Sequence, residues 1–140
     1  MPLSAEEQFA ANCGLLAQRL GDAWPGMQHQ LANTPLINLQ LGPVGTGALY
    51  GQAYDPDTRQ WAALCDQVDP VAQAEREVES VYVPEARIWC LIGIGLGYIA
   101  AALAKRLKPR QRLCIWEADP TLWKATLYAT HMTPLIRPDR

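Results

Sequence analysis

The stretch from Ile88 to Asp119 changes its pattern of apolar and polar residues twice. Two short apolar runs, Ile88–Ile92 and Arg112–Trp116, are typical of strands. The alanine-rich segment Tyr98–Leu107 between them favours a helix, which we expect to begin near Leu96. Strand, helix and strand in this order predict a βαβ unit whose strands are adjacent, parallel and joined by a right-handed crossover. The predicted fold class is therefore α/β.

The N-terminal part of the chain predicts a helix that precedes this unit. Ser4-Ala5-Glu6-Glu7 has the pattern of a capping box, and Gly21 would end the helix. The apolar residues at helical spacing between them are Phe9, Cys13, Leu16 and Leu20. We therefore divide the chain into an N-terminal helical segment, residues 1–35, and an α/β domain, residues 36–140.

Three segments at the start of the α/β domain predict strands. Leu36–Leu41 alternates apolar and polar side chains, as a half-buried strand does. Ala48–Tyr54 and Arg59–Leu64 flank Asp55-Pro56-Asp57-Thr58, which has the residues of a type I turn, so together they predict a β-hairpin. A helix beginning at Asp55 is the alternative, because apolar residues also recur at helical spacing there.

Two further helices are predicted from their first residues. Asp69-Pro70 and Asp119-Pro120 each combine an N-cap residue with proline at the first helical position. They predict one helix that ends near Tyr82 and another that ends at about Thr130. The solvent-exposed side of the first of these helices would consist of Glu75, Arg76, Glu77 and Glu79.

Three glycines, Gly93, Gly95 and Gly97, lie where the first apolar run meets the predicted helix. Gly93 would let the chain turn sharply, Gly95 would let backbone approach a ligand, and Gly97 would let the helix pack tightly on the sheet. Free N–H groups at the start of the helix form an anion site. Glu117, at the end of the second strand, is placed to accept hydrogen bonds from ribose hydroxyls. The pattern therefore predicts a Rossmann-like βαβ unit that binds a nucleotide.

The glycine motif departs from two familiar signatures. Dinucleotide-binding motifs have glycine where this chain has Tyr98, and methyltransferases that use S-adenosylmethionine often have an acid where it has Leu91. A turn that needs glycine only for packing, and binds nothing, is therefore an alternative. No residues combine a nucleophile, a base and an orienting partner at a recognisable spacing, so we assign no catalytic residue and leave open whether the chain is an enzyme.

Composition narrows the classes of function. At 140 residues the chain is long enough for one domain with a hydrophobic core. A net charge of −2, with no basic cluster larger than Lys105–Arg112, argues against nucleic-acid binding. No apolar run is long enough for a membrane span, and the first residues lack the pattern of a secretion signal.

Cysteine and histidine usage adds two expectations. The cysteines show no CxxC spacing, and Cys90 and Cys114 lie inside the apolar runs, so we expect both to be buried core residues in a reducing cytoplasm. His29 and His131 are too few and too scattered for a metal site. The predicted location is therefore cytoplasmic, with no metal.

Three motifs taken together resemble one bacterial family. They are a DP-x-x-x-A-E helix at Asp69–Glu75, a G-x-G-L-G-Y turn at Gly93–Tyr98 and an E-x-D/N-P strand end at Glu117–Pro120. In this order they resemble the amino-terminal region of motility-associated-factor proteins, which are bacterial glycosyltransferase-like proteins linked to sugar decoration of flagellin. The resemblance covers about Leu36 to Ile136, and Tyr98 is part of its motif.

The resemblance implies a Rossmann-like domain at the front end of a longer protein, beside a downstream catalytic domain that uses a nucleotide-activated sugar. The expected ligand is a nucleotide or nucleotide sugar. An S-adenosylmethionine-binding, methyltransferase-like domain and a non-catalytic interaction module are the alternatives. Because two core strands and a hairpin leave edges and apolar faces poorly covered, we expect a homo-oligomer or contact with the downstream domain. The predicted ligand-binding residues are Gly93, Gly95, Gly97, Tyr98 and Glu117.

Overall fold

The computed structural model describes residues 3–136 and shows a mixed α/β fold. In this range the helices are α1 (Ala5–Leu20), α2 (Trp24–Ala32), α3 (Pro70–Val81), α4 (Tyr98–Arg106) and α5 (Pro120–Ala129), with a 3₁₀ turn at Gly21–Ala23. The strands are β1 (Leu39–Pro43), β2 (Leu49–Asp55), β3 (Gln60–Ala63), β4 (Ile88–Ile92) and β5 (Arg112–Trp116). Residues 1–2 and 137–140, at the two ends of the predicted segments, lie outside the described range.

The strands form two separate sheets. β1, β2 and β3 make an antiparallel sheet in that order, and β4 and β5 pair in parallel, from Ile88 opposite Arg112 to Ile92 opposite Trp116. The predicted parallel pair and the predicted hairpin are both confirmed. The alternative of a helix from Asp55 is wrong, because β3 pairs with β2 instead. The structure thus shows a small two-stranded parallel sheet, and α4 is the segment of the chain that connects its two strands.

The predicted cap residues begin three of the helices. The Ser4 hydroxyl accepts a hydrogen bond of 3.2 Å from the Glu7 N–H, and the Glu7 carboxylate accepts one of 2.8 Å from the Ser4 N–H. Asp69 and Asp119 each accept a backbone hydrogen bond of 2.9 Å from the first turn of α3 and α5, respectively. Such caps satisfy N–H groups that have no partner inside the helix, and each contributes about 1 kcal/mol.

One face of the parallel sheet is covered by helices. Trp89 of β4 and Leu113 of β5 point inward and pack on a core whose centre is α4. The Tyr82 ring stacks on the Trp89 ring with centroids 5.5 Å apart. The buried members of this core come from α3, α4, α5 and the residues that flank α4, and they are Ala74, Val78, Leu96, Tyr98, Ala102, Leu103, Leu107 and Ala125.

The opposite face of the parallel sheet is exposed. Ile88, Ile92 and Trp116 are 64%, 79% and 65% exposed, and Cys90 and Cys114 lie between them on the same face. The prediction that both cysteines are buried is therefore wrong, because no element in residues 3–136 covers them. We call this surface the open face; its residues are Ile88, Cys90, Ile92, Arg112, Cys114 and Trp116.

The N-terminal helices are fixed to α5 by polar side chains. Asn12 of α1 is buried, and its amide donates to the carbonyls of Leu127 (2.8 Å) and Thr130 (2.7 Å). Its side-chain oxygen accepts a hydrogen bond of 3.0 Å from the Met132 N–H. The Lys124 ammonium donates to two carbonyls at the end of α2, each at 2.7 Å. Because these contacts satisfy backbone groups in the last turns of α2 and α5 and just after them, they fix where α1 and α2 lie on α5.

Candidate functional site

The turn that follows β4 contains the three glycines of the predicted motif. All have positive φ, with values of +84° at Gly93, +56° at Gly95 and +87° at Gly97. The Gly93 N–H donates to the Trp116 carbonyl (2.8 Å), and the Gly97 N–H donates to the Ile94 carbonyl (2.8 Å). This backbone region costs other residues about 1–2 kcal/mol, so the turn favours glycine at each position. The sharp turn expected at Gly93 is present.

The closest neighbours of Gly95 and Gly97 belong to the chain itself. A Cβ atom on Gly97 would lie 2.5 Å from Cγ2 of Thr126 and 3.0 Å from Oγ1 of Thr130. A Cβ atom on Gly95 would lie 3.4 Å from the Leu64 carbonyl oxygen. The expectation that Gly97 allows tight packing on the sheet is therefore wrong, because the element against which it packs is α5. The approach of Gly95 to a ligand stays a prediction.

Two threonines satisfy the carbonyl groups of the turn. The Thr130 hydroxyl donates to the Leu96 carbonyl (2.5 Å), and the Thr126 hydroxyl shares its proton between the Gly95 carbonyl (3.3 Å) and the Leu122 carbonyl of its own helix (2.9 Å). Both threonines are buried. The turn is thus held in place by α5 and by Thr130, the residue that follows this helix. The sequence pattern did not reveal this contact between the turn and α5.

The carbonyls of Gly95 and Leu96 accept hydrogen bonds, but the N–H groups of the same residues donate none within the described residues. In the part of the chain that the structure describes, no acceptor is bound by the N–H groups of Gly95 and Leu96. α4 begins at Tyr98, not at Leu96 as predicted, because Gly97 is a left-handed N-cap. No side chain caps this helix start. These N–H groups and those of the first turn of α4 are therefore able to bind a ligand.

Glu117 connects the glycine turn to the end of β5. Its Oε1 accepts a hydrogen bond of 2.9 Å from the Ile94 N–H, and its Oε2 accepts one of 3.1 Å from the Asp119 N–H. Its backbone carbonyl accepts a hydrogen bond of 3.1 Å from the Trp123 indole. The carboxylate therefore holds the two strand ends in register. Its contact with a ribose stays a prediction.

Tyr98 connects the start of α4 to the antiparallel sheet. Its hydroxyl donates to the Leu49 carbonyl (2.7 Å) and accepts from the Leu49 N–H (3.0 Å). Burial of the side chain raises the pKa of Tyr98 to about 12, because the phenolate would lose its hydration. The hydroxyl is thus neutral and occupied within the chain, so a direct hydrogen bond to a ligand would have to replace one that exists.

The glycine turn lines a cavity of about 810 Å³. The turn and the start of α4 form one side of it, and the loop after β3 together with α3 forms the other. Its polar side chains include Asp66, Gln73 and Glu77, and neither lysine nor arginine is among its lining residues. The Gln73 amide joins the other two, since it accepts from the Asp66 N–H (3.1 Å) and donates to Glu77 Oε1 (2.5 Å). The cavity therefore combines free backbone N–H groups with an acidic wall.

The negative charge of Asp66 is stabilised by the backbone around it. Its Oδ2 accepts hydrogen bonds from the N–H groups of Asp69 (2.8 Å) and Val68 (3.1 Å). These bonds hold the pKa of Asp66 below its usual range, so it is ionised at neutral pH. Sequence reasoning did not single out Asp66 or Gln73, and it assigned Glu77 to the solvent side of α3. The spacing of four residues between Gln73 and Glu77 was the signal that could have joined them.

Glu117 lines a different cavity from the glycines. A second cavity, of about 590 Å³, lies between α2 and the start of α5, and its walls include Glu117, Met27, Leu31 and Trp123. Gly93, Gly95 and Tyr98 line the larger cavity instead. The predicted site residues are thus not brought together in one cavity, and Gly97, packed against α5, lines neither of the two. The hydrogen bond from the Ile94 N–H to Glu117 connects the two cavities.

Two classes of site have no counterpart in residues 3–136. No group of three or more His, Cys, Asp or Glu side chains could hold a metal ion there, and no helix of that range has the length and apolar character needed to cross a membrane. No family model, curated protein or solved structure matches this chain. The function must therefore be argued from the geometry of the turn and its cavity.

Proposed function

We propose that this chain is a Rossmann-like domain of a bacterial glycosyltransferase-like protein and binds a nucleotide or nucleotide sugar. The observation that carries the proposal is the set of free N–H groups at Gly95, Leu96 and the start of α4, beside the cavity of about 810 Å³. This position follows the carboxyl end of β4, and ligands of parallel α/β folds bind outside the carboxyl ends of the strands. The three motifs that resemble motility-associated-factor proteins support the sugar-transfer context.

The size of the cavity supports a ligand of nucleotide dimensions. Sites for small molecules and cofactors usually have volumes of about 300–1,000 Å³, and the cavity of about 810 Å³ lies within that range. In this proposal the backbone N–H groups bind the phosphates, since helix-start N–H groups favour anions. Glu117 positions the turn through Ile94. Sugar transfer itself would take place in a downstream domain.

A specific observation favours S-adenosylmethionine as the second candidate. The cavity wall carries Asp66 and Glu77 and no cationic side chain. A ligand with an ammonium and a sulfonium group would be attracted by this wall, whereas a diphosphate would be repelled by it. The acidic wall and the free N–H groups thus favour different ligands, and binding measurements can separate them.

The first experiment is isothermal titration of the chain with UDP-, GDP- and CMP-sugars and with S-adenosylmethionine. Ala63 lines the cavity and Ala62 does not, although both are exposed on β3. Ala63→Trp should therefore block binding by filling the cavity, while Ala62→Trp should leave it unchanged. If the folded parent binds none of these ligands, or if both variants bind as the parent does, the proposal is wrong and the turn is structural.

A change of charge in the wall separates the two candidates. Glu77→Lys should tighten nucleotide-sugar binding about three- to tenfold and weaken S-adenosylmethionine binding by a similar factor, the scale of about 1 kcal/mol for a partly screened pair of charges. Glu79→Lys makes the same change on α3 and is the control, since Glu79 is not among the residues that line the cavity and its carboxylate forms an exposed ion pair of 3.9 Å with Arg106. Equal effects of the two variants would contradict binding at this wall.

A further inference from the structure

The antiparallel sheet turns one face toward the core and the other toward solvent. Leu39 and Leu41 of β1 pack on the core, and a Cβ atom on Gly51 of β2 would lie 2.9 Å from Leu96 and 3.0 Å from Leu41. Successive side chains of a strand point to opposite faces, so the residues that alternate with these three strand positions point outward. We call this outward surface the aromatic–amide face; its residues are Gln40, Tyr50, Gln52, Tyr54, Trp61 and, from the loop after β3, Gln67.

Contacts among these side chains show that they form one surface. The Tyr54 and Trp61 rings, on facing positions of β2 and β3, have centroids 5.3 Å apart and planes tilted by 53°. The Tyr50 hydroxyl accepts hydrogen bonds from the amides of Gln52 (2.7 Å) and Gln67 (3.0 Å). Because an amide has two N–H donors and one acceptor oxygen, both glutamines keep groups that are able to bind a ligand.

The aromatic–amide face carries no charge. Apart from its named residues, the outward positions of β1, β2 and β3 hold only Gly42 and Ala63. Asp55 has the opposite orientation at the end of β2, and Asp57 and Arg59 lie in the hairpin turn. A nucleic acid would need basic groups for its phosphates, and the core of a protein interface is richer in apolar side chains. The face therefore matches an uncharged ligand that carries many hydrogen-bonding groups.

We propose that the aromatic–amide face binds an uncharged oligosaccharide of β-linked pyranose sugars. The C–H groups on the flat side of a pyranose ring carry partial positive charge, and the faces of tyrosine and tryptophan rings are negative, so the two pack together. The sugar hydroxyls both donate and accept hydrogen bonds, and glutamine amides do the same. A β-linked chain is extended and presents flat ring sides along its length, which fits aromatic rings that are spread along one hairpin.

The aromatic–amide face borders the cavity of the candidate site. Gln67, which bonds Tyr50, is a lining residue of the cavity of about 810 Å³, and so is Ala63, which lies opposite Gln52. An oligosaccharide on the face therefore has one end beside the cavity. If the proposed function is correct, that end lies close to the nucleotide sugar. Binding of the oligosaccharide requires no ligand in the cavity, so the two proposals are tested separately.

The first experiment follows titration of the chain with cellohexaose and with chitohexaose by NMR, which detects weak complexes. Binding should shift the signals of the Trp61 indole N–H and of the Gln40 and Gln52 side-chain amides. Trp61 is 43% exposed on an edge strand, so Trp61→Ala should retain the fold and weaken binding about tenfold or more. Trp61→Phe keeps an aromatic ring and should retain most of the affinity. Trp116→Ala, which removes a 65% exposed indole from the other sheet, is the matched control and should have no effect.

The second experiment compares amides on the two sides of the same sheet. Gln40→Ala removes an outward amide and should weaken binding about two- to tenfold, the scale of one hydrogen bond. Gln60→Ala removes an exposed amide of β3 whose orientation is opposite to that of Trp61, and should leave binding unchanged.

The proposal is overturned if neither oligosaccharide shifts the outward signals, or if Trp61→Ala and Trp116→Ala weaken binding equally. Tighter binding of a single-stranded oligothymidylate than of either oligosaccharide also overturns it, because the rings would then stack on bases. If an oligosaccharide binds as expected while no nucleotide sugar does, the aromatic–amide face is a sugar-binding surface and the proposed function fails.

Discussion

The two faces of the parallel sheet are built from similar residues and have opposite surroundings. The inner face carries Trp89, Leu91, Leu113 and Ile115, which alternate along β4 and β5 with the residues of the open face. The inner side chains are half-buried, Trp89 and Leu113 against the core around α4, whereas the outer ones are exposed. Burial in this sheet is therefore decided by which helices are present, since both faces are apolar enough to be covered.

The largest difference between the faces should appear when apolar side chains are truncated. Leu103 of α4 is 5% exposed beneath the inner face, and Leu103→Ala should lower the free energy of unfolding by about 2–5 kcal/mol, because it leaves a cavity. Ile92→Ala, on the open face, should change it by about 0.5 kcal/mol or less at a protein concentration where the chain is monomeric. Urea unfolding measures both. Equal losses would show that the open face is covered in solution.

The glycines of the turn extend the same contrast, since Gly97 is buried against α5 and Gly93 is exposed. Gly93→Ala should cost about 1–2 kcal/mol from its positive φ alone. Gly97→Ala should cost about 2–4 kcal/mol, because the new methyl group also contacts Thr126 at 2.5 Å.

Thr126→Ser tests the cause of that difference. It removes the methyl group and keeps the hydroxyl that donates to Gly95, so it should recover part of the loss in the Gly97→Ala protein. If Gly97→Ala and Gly93→Ala cost the same, contact with α5 is not what requires glycine at position 97.

The elements of the fold could be predicted from local signals. The parallel strands follow from apolar runs on both sides of a helix, the hairpin from the residues around Pro56, and the starts of α1, α3 and α5 from their caps. These signals act within a few residues, so the sequence contains them directly. The start of α4 was misplaced because Gly97 serves as a left-handed N-cap, which depends on the contact with α5.

The surroundings of the elements could not be predicted in the same way. Cys90 and Cys114 lie in apolar strands of the kind that is usually buried. Their side chains are exposed because no element among the described residues covers that face of the sheet. The separation of Glu117 from the glycines into another cavity depends on where α2 packs. Asp66 enters the candidate site through the path of the loop after β3. Each of these features depends on contacts between segments that are distant in the chain. The periodicity of apolar residues and the spacing of motifs in a single sequence do not reveal such contacts.

A smaller effect is expected at the inner side where α4 meets β2. Tyr98→Phe should cost about 1–2 kcal/mol, because the Leu49 backbone groups lose their hydrogen-bond partner. The raised pKa also predicts a dependence on pH. The stabilisation is fully present below the ordinary tyrosine pKa of 10.0 and is lost as the pH rises through about 12, since folding disfavours the phenolate.

Unfolding experiments between pH 9 and 12 compare the parent with Tyr98→Phe. The parent should lose stability over the upper part of this range more steeply than the variant, which lacks the titrating hydroxyl. Parallel curves for the two proteins would show that the hydroxyl is accessible to water in the folded state.

Thiol reactivity should separate the faces without perturbing the fold. Cys90 and Cys114 are exposed on the open face, while burial raises the pKa of Cys13 and of Cys65. Because the thiolate is the reactive form, a water-soluble disulfide reagent at pH 8 should modify the first two quickly and the other two slowly. Mass spectrometry of digested protein assigns each rate, and unfolding in urea should make all four rates similar. If Cys90 and Cys114 react quickly in dilute protein and become slow at high concentration, while Cys13 and Cys65 do not change, the open face is the one that a second copy covers. Rapid reaction of Cys90 and Cys114 at every concentration would instead show that this face stays in contact with water.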